Sequence, residues 1–232
     1  MKHGRHMRVL IVVALVALIY IVLAGSISKN ITEDDIKAIR SLGIDRSCAQ
    51  TKDFEGQIEC IKAAQQALRE KLPDMTCGAV GLNYEPPAIM KRQHACCFGR
   101  ARFLEKTFEH YGIKTRHVSL FDRSRHGWFT ILVPGTPSHA VLEALTSRGW
   151  MGVDSMDDLI LITREGKPLT FRELKTAAPE SLSQKPHKKE LEQFYARPLV
   201  TVYGLYSRHG MFFGPNLPAP EIHYPDFLKY NL

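Results

Sequence analysis

Ser138-His139-Ala140-Val141-Leu142-Glu143-Ala144-Leu145, followed by Thr146-Ser147-Arg148-Gly149 and then Trp150-Met151-Gly152-Val153-Asp154, is the stretch whose reading decides the fold. His139 to Leu145 and Trp150 to Val153 are short runs rich in strand formers, with a turn-forming segment between them, so together they read as a hairpin. With a loop of two or four residues, Leu145 pairs with Trp150 and paired residue numbers sum to 295. Val141 then lies opposite Asp154. Because 139 and 141 share a face, His139 and Asp154 become diagonal neighbours, roughly 7–8 Å apart at Cα and closer at the side chains. A three-residue loop would put them on opposite faces unless a bulge intervened.

Upstream of the hairpin, Cys97 to Tyr111 has the spacing of a helix, with Phe98, Ala101, Leu104, Phe108 and Tyr111 on one side and Gly112 as its stop. Cys97 falls in the first turn. Unpaired backbone N–H groups and the helix dipole favour a thiolate there, and a thiolate needs only a base to act as a nucleophile. For a cysteine taken alone the alternative is an inert core thiol. His117 to Phe121, Trp128 to Val133 and Leu159 to Thr163 read as further strands, and Thr170 to Ala177 as a short helix. Two helices precede these elements. One is capped by Thr32 and Asp35, with Ile36, Ile39 and Leu42 on one face. The other runs from Phe54 to Leu72 and ends at Pro73. Residues 73–93 and Ser181 to Glu190 read as loops. Helices first and an antiparallel sheet after them make an α+β domain.

The stretch Cys97-Phe98-Gly99-Arg100-Ala101 through Gly112-Ile113-Lys114-Thr115-Arg116-His117-Val118 resembles the nucleophile helix of the transglutaminase-like superfamily of papain-like cysteine enzymes. His139-Ala140-Val141-Leu142-Glu143 resembles that family's His-Ala strand, and Gly149-Trp150-Met151-Gly152-Val153-Asp154 its Gly-Trp-x-x-x-Asp strand. The matching motifs lie within residues 90–160. The resemblance implies a nucleophile helix packed on an antiparallel sheet, with Cys97 as nucleophile, His139 as base and Asp154 orienting the base. The chain departs from the family pattern just before the nucleophile, where His94-Ala95-Cys96 stands in place of a glycine. The vicinal Cys96 leaves the nucleophile open, and the spacing to Ala101 and Gly112 selects Cys97. For the oxyanion, the backbone N–H of Cys97 and the side chain of Gln93 are the candidates. No cofactor is expected. Asp154, Asp157 and Asp158 would suit calcium, which some bacterial relatives use, but they read first as an acidic turn. His94, His110, His117 and His126 lack metal spacing. Tyr203, Tyr206 and Phe212 read as core aromatics, with a carbohydrate groove as the alternative.

In a chain of 232 residues with 44% hydrophobic and 24% charged residues, one folded domain is expected after a targeting segment, so the boundaries are 1–28 and 29–232. The net charge of +7 is scattered and does not alternate with aromatics, which argues against nucleic acid. Lys2, Arg5 and Arg8 precede an apolar run from Val9 to Ala24, and no acid appears before Glu33. That pattern is a signal anchor that places the domain outside the cytoplasm, in the periplasm, tethered to the inner membrane; cleavage after Val22-Leu23-Ala24 would make it secreted. In an oxidising compartment the five cysteines suggest two disulfides and one thiol, with Cys48–Cys60 and Cys77–Cys96 as the pairs. The expected substrates are exported proteins, peptides or amide-bearing envelope glycans, cleaved or transferred through a thioester. The rival reading is a non-catalytic module that serves binding or assembly of envelope polysaccharide.

Overall fold

The centre of the computed structural model is a four-stranded antiparallel sheet in the order β3-β2-β1-β4, formed by β1 (Thr115–Asp122), β2 (Ser138–Thr146), β3 (Gly149–Val153) and β4 (Leu199–Tyr203). The structure describes residues 2–24, 26–49, 52–73, 83–175, 181–206 and 221–232. Ahead of the sheet come α1 (Lys2–Ala24), α2 (Glu33–Arg40), α3 (Asp45–Cys48), α4 (Phe54–Lys71), α5 (Pro86–Arg92) and α6 (Cys97–His110). After β3 come α7 (Lys189–Tyr195) and α8 (Tyr224–Asn231), which flank β4 in sequence.

Local chemistry sets the helix starts. The Thr32 hydroxyl accepts from the Asp35 amide and the Asp35 carboxylate accepts from the Thr32 amide, a reciprocal cap that opens α2. Asp53 accepts from the Gly56 amide at 2.8 Å and opens α4. Cys48 and Cys60 form a disulfide that ties α3 to α4, with their Cα atoms 4.5 Å apart.

Sheet and helices share two main apolar layers. Leu142, Ala144, Met151 and Val153 face Phe103, Leu104 and Phe108 of α6 and Ile58, Ile61 and Leu68 of α4. On the other face, Val118, Leu120 and Val141 pack with Leu159, Leu161, Phe171, Phe194 and Tyr203. α6 thus lies between the sheet and the helical layer, and even its Arg100, Arg102, Glu105 and Lys106 are buried. Arg100 donates to the carbonyls of Leu72 and Ala95, and opposite charges meet the other three. Lys106 pairs with Asp35 at 2.7 Å, Arg102 with Glu105 and Glu85 at 3.1 Å, and the Tyr206 hydroxyl donates to Glu105.

Several elements differ from the sequence reading. Trp128 to Val133 is no strand: residues Gly127–Leu132 form a 3-10 helix. β1, the strand that precedes the segment, is already paired on both sides, by β2 and β4, so the segment cannot pair back onto it. Leu159 to Thr163 contributes isolated bridges, including Val153 to Ile160, that run along the outer edge of β3. The 73–93 segment contains α5, whose first turn takes its prolines. Of Thr170 to Ala177, residues Glu173–Lys175 form a 3-10 turn and 176–177 lie outside the described residues. Tyr203 and Tyr206 are buried, which excludes an open sugar platform made from them, and Phe212 lies outside the described residues.

In α1 the side chains from Leu10 to Tyr20 are exposed on every side. Among the described residues, no helix is long and apolar enough to cross a membrane. After α1, the chain from Ser26 on is held to the body. Ser26 bridges to Ile222, the Ile27 amide donates to the Ile222 carbonyl at 2.9 Å, and Arg102 holds the Ser28 carbonyl.

Candidate active site

The hairpin of β2 and β3 closes on a two-residue loop, with Thr146 opposite Gly149 and Leu145 opposite Trp150, so paired numbers sum to 295. β3 ends at Val153, opposite Leu142. Asp154 follows one residue beyond the pairing and projects on the same side as His139. The imidazole Nε2 meets Asp154 Oδ2 at 2.9 Å.

The early end of β3 also opens a way in for the thiol. In an antiparallel ladder the N–H and C=O of one residue point to the same neighbour. Leu142 is the last residue of β2 with a β3 partner, so the groups of Ala140 that point toward β3 find no strand there. They are taken instead by the Ser155 hydroxyl, which donates to the Ala140 carbonyl at 2.6 Å, and by Cys97, whose sulfur accepts from the Ala140 amide. Cys97 is the first residue of α6, with Cys96 extended as its N-cap. The Phe98 amide in the first turn also donates to the sulfur, and His139 hydrogen-bonds to it. With Nε2 held by Asp154, Nδ1 is the ring nitrogen left for the thiol. The structure therefore brings Cys97, His139 and Asp154 into one line.

Burial alone would raise the Cys97 pKa. The hydrogen bond and charge of His139, with the amides of Ala140 and Phe98, outweigh it and hold the thiol below its ordinary value. Burial would lower His139, but the charge and hydrogen bond of Asp154, together with Cys97, push it up to about 10. Asp154 stays below the carboxylate range despite its burial, because of the charge and hydrogen bond of His139, the Tyr195 hydroxyl and the Met156 amide. The site thus biases the thiol toward its thiolate and the imidazole toward its charged form, with a carboxylate behind them.

The carboxylate is itself held on all sides. Oδ1 accepts from the amides of Met156 at 2.6 Å and Asp157 at 2.8 Å, and Tyr195 of α7 donates to Oδ2. Gln65 of α4 donates to the carbonyls of Asp154 at 2.9 Å and Asp157 at 3.1 Å, fixing the loop that carries the acid. Phe194 meets the His139 ring edge to face, with centroids 5.9 Å apart. Tyr195 and Gln65 are the residues that the sequence reading missed. No local motif marks either, because their partners lie on distant segments.

Gln93 ends α5 in the left-handed conformation, φ 58°, with an exposed side chain. The three aspartates do not converge. Asp154 faces His139, Asp157 accepts from His187 and the Lys188 amide, and Asp158 pairs with Arg69 at 2.6 Å. Among the described residues, no cluster of His, Cys, Asp and Glu is arranged to hold a metal ion. Cys96 is disulfide-bonded, which leaves the thiol at Cys97; Cys77, its partner in the sequence reading, lies outside the described residues.

No family model matches the chain, and no curated protein does. One solved structure, described as that of a TGase, is similar at 18% identity and a TM-score of 0.40, covering 69% of this chain and 44% of its own. That likeness is too distant to bear on what this chain does.

Proposed function

We propose that the chain is a cysteine enzyme of the transglutaminase-like class, cleaving or transferring amide-linked acyl groups through a thioester, with Cys97, His139 and Asp154 as its catalytic residues. The observation that carries this reading is the line from thiol to imidazole to buried carboxylate at the first turn of α6. In the reaction, the Cys97 thiolate attacks the amide carbonyl carbon and a C–S bond forms. His139, holding the proton of the thiol, gives it to the leaving amine as the C–N bond breaks. An acceptor then attacks the thioester with His139 taking its proton, and the thiolate leaves. Asp154 keeps the imidazole oriented and stabilises its charged form. Water as acceptor makes a protease or amidase, and an amine makes a transglutaminase. Hydrolysis is favoured, since nothing on the chain marks an amine site.

In the same proposal α1 is an anchor in the inner membrane, and the domain works on its extracytoplasmic side on proteins, peptides or amide-bearing envelope material. Supporting this are Lys2, Arg5 and Arg8 ahead of the apolar run, the exposed side chains of α1 and the Cys48–Cys60 disulfide. Alkylation with iodoacetamide at neutral pH tests the enzyme. Cys97 is expected to react far faster than an ordinary thiol, and a Cys97 that reacts no faster would favour the non-catalytic module.

A further inference from the structure

The 3-10 helix Gly127–Leu132 divides its side chains sharply. Thr130 is buried, with its hydroxyl donating to the Asp122 carbonyl at 2.6 Å, and Ile131 packs inward. Trp128, Phe129 and Leu132 point out, 68%, 74% and 51% exposed. Single exposed apolar residues need no explanation, but three on one turn held by a buried threonine form a built apolar knob. Its surroundings are basic. Arg123, Arg125 and His126 are exposed beside it, the Arg123 guanidinium stacks 5.5 Å above the Trp128 ring, and no acid occurs from residue 123 to residue 142. Asp122, the acid just ahead of this stretch, is already held by Arg197 and Ser124.

The position of the knob matters as much as its chemistry. Ile131 packs into the small apolar cluster of Phe121, Val200, Val202, Leu205 and Ile222. Ile222 is also the residue that receives the chain as it leaves α1, through Ser26 and Ile27. The knob and the chain at Ser26 and Ile27, which follows α1, are therefore built on one cluster.

We infer that Trp128, Phe129 and Leu132 seat in the interfacial layer of an anionic lipid bilayer, with Arg123 and Arg125 on its headgroups, as a second contact beside α1. Tryptophan favours the boundary of headgroups and acyl chains, and arginine favours anionic lipid. The inference rests on the proposed reading of α1 as an anchor. The second contact would stop the body from turning about α1 and hold Cys97 at one height above the bilayer.

The test uses the full-length chain in vesicles of phosphatidylcholine and phosphatidylglycerol carrying bromine on the acyl chains. A Trp150→Phe background leaves Trp128 as the single tryptophan, and Trp128→Phe in the natural chain supplies the complementary difference if that background folds poorly. Bromolipid is expected to quench Trp128, with most of the quenching lost in Arg123→Glu/Arg125→Glu and in vesicles of phosphatidylcholine alone. Resistance of the protein to alkaline extraction reports α1 separately. Protein that resists extraction with Trp128 unquenched overturns the second contact and leaves the anchor standing. Protein that is extracted but quenched beforehand overturns the anchor and supports the contact. Extraction without quenching overturns both. Equal quenching in both lipid mixtures overturns the role of the arginines.

Discussion

Two buried histidines on neighbouring strands are driven in opposite directions. His139 on β2 is pushed up to about 10, and His117 on β1 down to about 4. Burial favours the neutral ring at both places, so burial does not separate them. What separates them is the partner. His139 has the Asp154 carboxylate in line at 2.9 Å and the thiol on its other side. His117 lies flat against Tyr206, ring centroids 4.0 Å apart, with Phe98 at its edge and neither ring nitrogen hydrogen-bonded. Glu105 favours the charged form of His117, but burial comes first among the causes and Arg102 and Lys29 oppose the acid. The ring at 117 is packing with nitrogens in it, while the ring at 139 is a charged group held in position. A buried histidine is informative about chemistry only through the acid that stands behind it.

The contrast breaks most completely if the thiol or its ring is removed. Cys97→Ala and His139→Ala are expected to lower thioester-dependent turnover by about 10⁴-fold or more, with far-UV circular dichroism unchanged. Asp154→Asn should put His139 in the condition of His117, without a charge behind it. The imidazole pKa falls from about 10, and turnover drops by roughly 10³–10⁴-fold. In the natural protein, alkylation of Cys97 should set in at lower pH than that of an ordinary thiol, because His139 and the amides of Ala140 and Phe98 lower the thiol, and it should change again as His139 loses its proton near 10. In Asp154→Asn, alkylation should instead rise with pH as an ordinary thiol does.

The two rings also leave opposite marks on stability. A ring with raised pKa stabilises the fold fully below about 6.5, and that contribution fades as pH rises through about 10. A ring with lowered pKa does the reverse: protons bind the unfolded chain first, so stability falls from about 6.5 down to about 4. His117→Phe is therefore expected to keep activity and to remove an acid-side loss of order 3 kcal/mol, read by denaturant unfolding in detergent at pH 7 and pH 4.5. The smallest effect is expected from Tyr195→Phe. It removes one of four donors to Asp154, and turnover should drop about tenfold or less while the alkylation profile shifts to slightly higher pH.

Much of the site was legible because its determinants are local. A hairpin loop of two residues fixes a register, the register fixes faces, and the faces bring His139 and Asp154 together. The Thr32–Asp35 cap and the Cys48–Cys60 bridge are local in the same sense. Trp128 to Val133 reads as a strand from its aromatic and β-branched residues, but such residues form strands only where a partner receives them, and β1 just before it is already paired on both sides. Tyr195 and Gln65 were invisible because each acts across 41 and 89 residues respectively. Gln93, the side-chain candidate for the oxyanion, ends α5 with its side chain exposed.

The place where β3 stops has a consequence for anyone redesigning this hairpin. Sulfur sits where the next rung of the sheet would be, and it borrows the amide that an added strand residue would claim. A longer β3, reaching two residues further so that residue 155 pairs with Ala140, would look like an improvement by every ordinary rule of strand pairing. It would also evict the thiol. Here a frayed sheet end is the socket, and straightening it would trade a reactive group for one more backbone bond.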